Sequence, residues 1–273
     1  MEKIVIKGKD FITAVRKTAD IALQYKDNAT LTNICIITHN NRIDLTAVCH
    51  EVFIIHTIPA KVEGAENQKY LINPKALKYI ADRTVEDDEI EITVENHKIT
   101  FKSGNYNLTT KLSPERFTTF PDYRKIIPKQ YDAVVEISKS DLLDTIKKAV
   151  VKKTWENKWI GKFETICLRT LTDSIVVEAP IYITIKNEAC RTATTDATVK
   201  SDKDTMSIVK DTSIERVLNL IDSDAVVLSI NSDYIVITSK DADEKTIGIV
   251  ETLWMLQEWD DEKVKQLFLL FFG

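Results

Sequence analysis

The feature that most constrains this chain is that it repeats itself. The segment IKGKDFITAVRKTA, starting at Ile6, lies over ISKSDLLDTIKKAV, starting at Ile137, at an offset of 131 residues. Ile6, Asp10, Phe11, Ile12, Val15, Arg16 and Lys17 fall on Ile137, Asp141, Leu142, Leu143, Ile146, Lys147 and Lys148. ICIITHNNRIDLTAV then lies over ICLRTLTDSIVVEAP at 132, and IEITVENHKITFKS over VVLSINSDYIVITS at 136. The offset grows in small steps, as loop insertions in a duplicated fold would make it. Such a chain builds two copies of one domain rather than a single large core.

Each copy carries the same order of elements. A short strand (Lys3–Ile6, Val134–Ile137) leads into an amphipathic helix, with Phe11, Val15, Ala19 and Ala22 in one copy and Leu142, Ile146 and Val150 in the other. Alternating strands follow, among them Ile34–Ile37, Arg42–Val48 and Ser174–Glu178. A second helix starts at Asn73–Pro74 in the first copy and at Thr212–Ser213 in the second. Each copy closes with a hairpin, turning at Glu95–Asn96 and at Asn231–Asp233. The fold class is therefore α+β, each half holding two helices and two small antiparallel sheets.

Between the copies lies FPDYRKIIPK (Phe120–Lys129), with two of the chain's six prolines. Proline fixes backbone angles, so this segment reads as a stiff connector. The division is 1–119 and 131–255 for the copies, 120–130 for the connector and 256–273 for a C-terminal tail.

Composition excludes several classes. At 44% hydrophobic and 29% charged the 273 residues are ordinary globular material. No apolar run approaches the roughly 20 residues of a membrane span, and MEKIVIKGKD lacks a signal-peptide core. Cys35, Cys49, Cys167 and Cys190 show no CxxC spacing and read as reduced, buried thiols of a cytoplasmic protein, with a disulfide or metal role as the alternative. His39, His50, His56 and His97 lack metal-ligand spacing, VEDDEIE (Val85–Glu91) reads as a solvated loop, and six glycines form no phosphate-cradling loop. No catalytic residue, metal or cofactor is expected.

FPDYRKIIPK resembles the FPDYR-type connector of the bacterial DNA polymerase III β sliding clamp. LTAVCHEVFI (Leu45–Ile54) is similar to that family's LTxTDLE strand, SDLLDTIKKAV to the first helix of its last domain, and IGIVETL (Ile247–Leu253) to its closing strand. The likeness covers roughly residues 1–255, with departures. Val48–Cys49 replaces Thr-Asp, Glu251–Thr252 replaces Met-Pro, and two domains stand where the bacterial clamp has three. The length suits the two-domain subunits of proliferating cell nuclear antigen and phage clamps. The resemblance thus implies a homotrimeric six-domain ring around double-stranded DNA, in a bacterial or phage-infected cell, binding polymerase and clamp-loader peptides and no membrane.

A ring on DNA needs an inner surface that attracts phosphates without reading bases. The helical segments 9–26, 75–83, 139–158 and 211–222 carry +2, +2, +3 and −2, together +5, so with a net charge of −5 the remainder carries −10. Arg16, Lys17, Lys75, Lys78, Arg83, Lys147, Lys148, Lys152 and Lys153 are the DNA-facing candidates, plain solvation being the alternative for any one of them. By resemblance, Tyr106 and Leu108 meet Val150 and Val151 of a neighbour; ordinary packing within the domain is the alternative for Val151. Also by resemblance, Val48, His50, Pro121, Ile126, Ile249, Val250 and Leu253 border a groove for partner peptides, unless they pack the core between the domains.

The tail ends in Gln266, Leu267, Leu269, Leu270, Phe271 and Phe272 and resembles a clamp-binding peptide. So apolar a run needs cover, either in a groove or as an amphipathic helix packed on its own domain with Trp254 and Trp259. Two other functions fit the composition: a clamp-like adaptor that never encircles DNA, and a β-rich protein binding a small molecule.

Overall fold

The computed structural model describes residues 2–24, 31–64, 67–95, 97–112, 120–150, 165–183, 187–201, 204–241, 245–252 and 254–256. The chain forms two compact units, Met1–Ile126 with Lys245–Ile247, and Ile127–Glu244 with Gly248–Gly273.

In the first unit β1 (Glu2–Lys7) runs directly into α1 (Gly8–Gln24). After it come β2 (Ile34–Thr38), β3 (Arg42–Cys49), β4 (Val52–Pro59), β5 (Lys61–Glu63) and β6 (Lys69–Ile72). The unit continues with α2 (Pro74–Ala81), β7 (Glu89–Glu95), β8 (Lys98–Ser103) and β9 (Tyr106–Lys111), and ends in the short α3 (Tyr123–Ile126). One antiparallel sheet has the order β5-β1-β7-β8-β9, while β4, β3, β2 and β6 are consecutive neighbours in another. Alternation holds in the first sheet: Ile4, Ile6, Ile90, Ile92, Ile99 and Phe101 all point inward. Phe101 meets Phe11 of α1 with ring centroids 6.2 Å apart.

The alternation expected of Ile34–Ile37 and Arg42–Val48 is absent. Every residue of β2 is buried, and so is every residue of β3 after Arg42. These strands are covered on both faces, so their sequences are nearly continuous apolar runs. Where β3 turns its Asp44 face outward, Tyr123 covers it.

The second unit repeats the plan. It holds β10 (Ala133–Ser138), α4 (Lys139–Ala149), β11 (Thr165–Thr170), β12 (Ser174–Ile183), β13 (Asn187–Asp196), β14 (Thr198–Lys200) and β15 (Thr205–Lys210). Then come α5 (Asp211–Leu220), β16 (Ala225–Ile230), β17 (Tyr234–Ser239), β18 (Thr246–Glu251), whose first two residues count with the first unit, and β19 (Trp254–Leu256). Its strands run β14-β10-β16-β17 in one sheet and β13-β12-β11-β15-β19 in the other. The β16–β17 hairpin turns as expected, with Asn231 Oδ1 accepting from the amides of Asp233 and Tyr234 at 3.0 and 2.8 Å.

The strand-to-helix bend is built alike in both units. Gly8 N donates to Asp88 O at 2.7 Å, and Lys139 N donates to Asp224 O at 2.5 Å. Asn73 caps α2 as expected, its side chain accepting from Lys75 N at 2.9 Å. The start of α5 differs from the expected Thr212–Ser213. The helix begins at Asp211, and Lys210 at its N-cap makes no side-chain capping bond. The Asp211 carboxylate instead accepts from Thr212 N at 2.7 Å, an acidic group where the helix dipole favours one.

Candidate nucleic-acid interface

The helices place the expected cations unequally. On α2, Leu77, Ile80 and Ala81 are buried, which turns Lys75 and Tyr79 outward, and Arg83, in the turn just past the helix, is exposed beside them. The Arg83 guanidinium lies 3.7 Å from the centre of the Tyr79 ring and donates to Tyr79 O at 3.1 Å. Lys78 reaches across to Asp20 of α1 at 2.9 Å. Arg16 is exposed one turn before Asp20.

Lys17 does not face solvent. It is 5% exposed, and its Nζ donates to Thr246 Oγ1 at 3.0 Å; that hydroxyl also meets His56 Nδ1 at 2.9 Å. The expectation of a DNA-facing Lys17 fails because the residue falls on the apolar stripe of α1, between Ala14 and Ile21, both buried. The equivalent Lys148 of α4 is exposed, as is Lys147, which lies 3.5 Å from Asp144. Lys152 and Lys153 lie outside the described residues.

The connector is anchored to the first unit. Phe120 and Tyr123 are buried, and the Tyr123 hydroxyl donates to Asp44 Oδ2. Asp44 also accepts from Thr57 Oγ1 at 2.7 Å and meets His39 Nε2 at 2.7 Å, so a buried carboxylate has three partners. Burial, reinforced by Asp44, pushes the Tyr123 phenol above its ordinary range. Asp122 clasps Arg124 at 3.0 Å and faces Lys69 of β6 at 3.8 Å. That arginine, and then the lysine, hold its carboxyl below the usual range. Beside this, burial pushes the Cys35 thiol up to about 12.

Of the residues expected to border a peptide groove, Pro121 and Ile126 are half-buried and His50 is exposed with φ 49°. Val48, Ile249 and Val250 are instead sealed within their own strands and offer no apolar surface. Leu253 lies outside the described residues. At the expected subunit contact, Tyr106 is 50% exposed and Leu108 half-buried on β9, which among the described residues pairs with β8 alone and so forms a sheet edge. Val150 is half-buried at the end of α4, which packs on β12 and the edge strand β13; Val151 is not among the described residues.

Trp254 belongs to a strand, as β19 adds antiparallel to β15 with Ile208 opposite Trp254. The Gln266–Phe272 run and Trp259 lie outside the described residues. Among the described residues no group of three or more metal-ligating side chains assembles, and no helix is long and apolar enough to cross a membrane.

Sequence reasoning missed Tyr79, Asp44, Tyr123 and Thr246. Tyr79 was within reach, standing four residues from both Lys75 and Arg83. The other three act through contacts distant in sequence that no local pattern announces.

Residues 2–121 match the family described as the DNA polymerase III beta subunit, N-terminal domain. No curated protein sequence matches the chain. The fold is that of solved bacterial clamps. The DNA polymerase sliding clamp of Pseudomonas aeruginosa superposes with a TM-score of 0.75 at 14% identity, over 92% of this chain and 65% of that one. The DNA polymerase III beta subunit of Thermotoga maritima gives 0.76 at 15%, over 93% and 65%. The Helicobacter pylori beta clamp, solved bound to a DNA ligase peptide, gives 0.72 at 16%, over 92% and 65%. This chain thus spans just under two thirds of the length of each.

Proposed function

We propose that this chain is a DNA polymerase sliding clamp, a non-catalytic factor that holds a polymerase on duplex DNA. One observation carries the reading. On a clamp fold repeated twice, in a chain of net charge −5, Arg16, Lys75, Lys78, Lys147 and Lys148 stand at the surface of the helices, with Arg83 in the turn that follows α2. Cations so placed attract phosphates whatever the sequence, and neutralised phosphates release counterions, so binding weakens steeply with salt. Lys17 has no part in this surface.

Three copies closing head to tail would supply six domains. The free edge of β9 with Tyr106 and Leu108, and the α4–β13 edge with Val150, suit a heterologous contact, since the two patches differ and each borders a sheet edge. Polymerase and loader peptides would dock beside the connector, near Pro121, Ile126 and His50, and Gln266–Phe272 is a candidate occupant of the same place. Such a protein works where DNA is copied, in the cytoplasm of a bacterial or phage-infected cell.

Light scattering at several concentrations, with and without residues 257–273, tests the assembly. A mass near three times the 31.1 kDa chain is expected. Retention on nicked circular DNA, with loss once that DNA is cut, is the matching functional result. A chain that stays monomeric at micromolar concentration and dissociates equally from circular and linear DNA overturns the reading and leaves a clamp-like adaptor.

A further inference from the structure

Among the described residues only three large apolar side chains stand exposed: Tyr79, Val85 and Tyr106. Tyr106 lies on the β9 edge, and Val85 sits in the loop between α2 and β7. Tyr79 has no such explanation. It is 48% exposed near the C-terminal end of α2, among the charged Lys75, Lys78, Asp82 and Arg83.

Duplex phosphates need only cations, and an aromatic ring adds nothing to that attraction. Unpaired bases are different. Each presents a π-face, and proteins that hold single strands interleave basic groups, which track the backbone, with rings on which bases stack. The face of α2 has that composition. Lys75 and Arg83 stand one turn to either side of Tyr79, and Lys78 is adjacent, held toward α1 by Asp20. The Arg83 guanidinium, 3.7 Å above the ring and tied to Tyr79 O, covers one face and fixes the ring's orientation, leaving the exposure to the rest of the ring. A ring already held in place gives up little freedom when a base stacks on it.

The geometry points to Tyr79, with Arg83 behind it, as a stacking platform for an unpaired nucleotide of single-stranded DNA, with Lys75 and Lys78 contacting the flanking phosphates. This rests on the DNA-binding reading above and deepens it: the surface would distinguish single-stranded DNA from uninterrupted duplex. Asp20 and Asp82 lie at the rim and limit the attraction to the strip of helix between them.

The test compares the full-length protein with Tyr79→Ala, Tyr79→Phe and Lys75→Ala. Binding is read by fluorescence anisotropy, at low salt, with a labelled oligothymidylate of about 20 nucleotides, a site-scale length for such proteins, and with a duplex of equal length. Tyr79→Ala should weaken single-strand binding roughly fivefold or more, the loss of one base stacked on an aromatic ring, and leave duplex binding within about twofold. Tyr79→Phe should bind single strands as the parent does, because the ring remains. Lys75→Ala should weaken both DNAs and lower the salt slope of each. The platform is overturned if Tyr79→Ala spares single-strand binding, if it weakens both DNAs equally, or if Tyr79→Phe behaves like Tyr79→Ala. Duplex binding that survives while the single strand fails to bind the parent protein overturns the platform alone. Failure of both DNAs to bind the parent protein overturns the DNA-binding reading with it.

Discussion

Gly8 and Lys139 occupy the same corner of the two copies, each donating its amide to a loop carbonyl, yet one position admits no side chain and the other carries a long one. At Gly8 an added Cβ would sit 2.3 Å from Val85 O and 2.9 Å from Asp88 O. In the second copy the chain passes from α5 at Leu220 to β16 at Ala225, a shorter link than the one from Ala81 to Glu89 in the first. No turn like that at Val85 presses on the bend, and Lys139 extends to donate to Ile221 O at 2.7 Å. The duplicated fold thus keeps its backbone bond while the length of a neighbouring loop decides which residue is allowed there.

The sharpest way to break this comparison is Gly8→Ala. The clash is with backbone, which cannot swing aside, so a loss of about 3 kcal/mol is expected, at the upper end of overpacking costs. Lys139→Ala should stay within about 1 kcal/mol. Urea unfolding of both variants checks the ratio, and equal losses would mean the Val85 turn yields.

Lys17 and Lys148 form a second mismatched pair, one buried against Thr246 and one in solvent. Lys17→Ala should cost about 2 kcal/mol through lost packing and a lost hydrogen bond. Lys148→Ala should leave the melting temperature unchanged but lower the salt slope of DNA binding by about 1. A swap of those two phenotypes would refute the placement of both side chains.

Tyr123→Phe probes a contact of the first unit, the phenol held on Asp44. Leaving that buried carboxylate short of a donor should cost about 1–2 kcal/mol, seen as a lower urea midpoint.

The smallest effect concerns acid. At the second bend the Asp224 carboxylate accepts from Ser140 N at 2.9 Å and from Ser138 Oγ at 2.8 Å. These bonds, the Ser140 amide foremost, hold its carboxyl below the ordinary range. A depressed folded-state value means the contribution is complete above the ordinary carboxylate range and is lost as pH falls through the lowered value. At the first bend the amide of Gly8 goes to the Asp88 carbonyl, which does not titrate. Asp224→Asn should therefore lower stability slightly at neutral pH, where the carboxylate's contribution is complete, change little in acid, and so flatten the acid limb of the stability profile. An unchanged acid limb would show that Asp224 does not link this bend to pH.

The duplication, the order of elements, both hairpins and the Asn73 cap were legible because each is written in local periodicity or turn chemistry. The double burial of β2 and β3 was not, since an apolar run looks the same whether one face or both are covered. The start of α5 was misplaced by a residue or so because Thr212 and Ser213 are good caps on paper, while Asp211 satisfies the first amide from inside the helix. β19 escaped notice because three residues are too short for a pattern. At the candidate site the cations were picked by their place in charged helical segments, and Arg16, Lys75, Arg83, Lys147 and Lys148 among them are exposed. Lys17 was misread because charge alone does not say which side of a stripe a residue takes. Val48, Ile249 and Val250 were misassigned because apolar residues suited to a groove are equally suited to the core behind it.

The bonds that bury Thr246 bear on how the protein is made. Lys245–Ile247 belongs to the first compact unit, where Thr246 meets Lys17 and His56. A chain emerging from the ribosome N-terminus first has nearly all of its second unit translated before this piece of the first exists. The buried ammonium of Lys17 must wait through that interval without its Thr246 hydroxyl. The first unit is thus the earlier to begin folding but not the earlier to be complete, and a nascent chain halted ahead of Lys245 would carry an N-terminal half that is assembled yet unfinished.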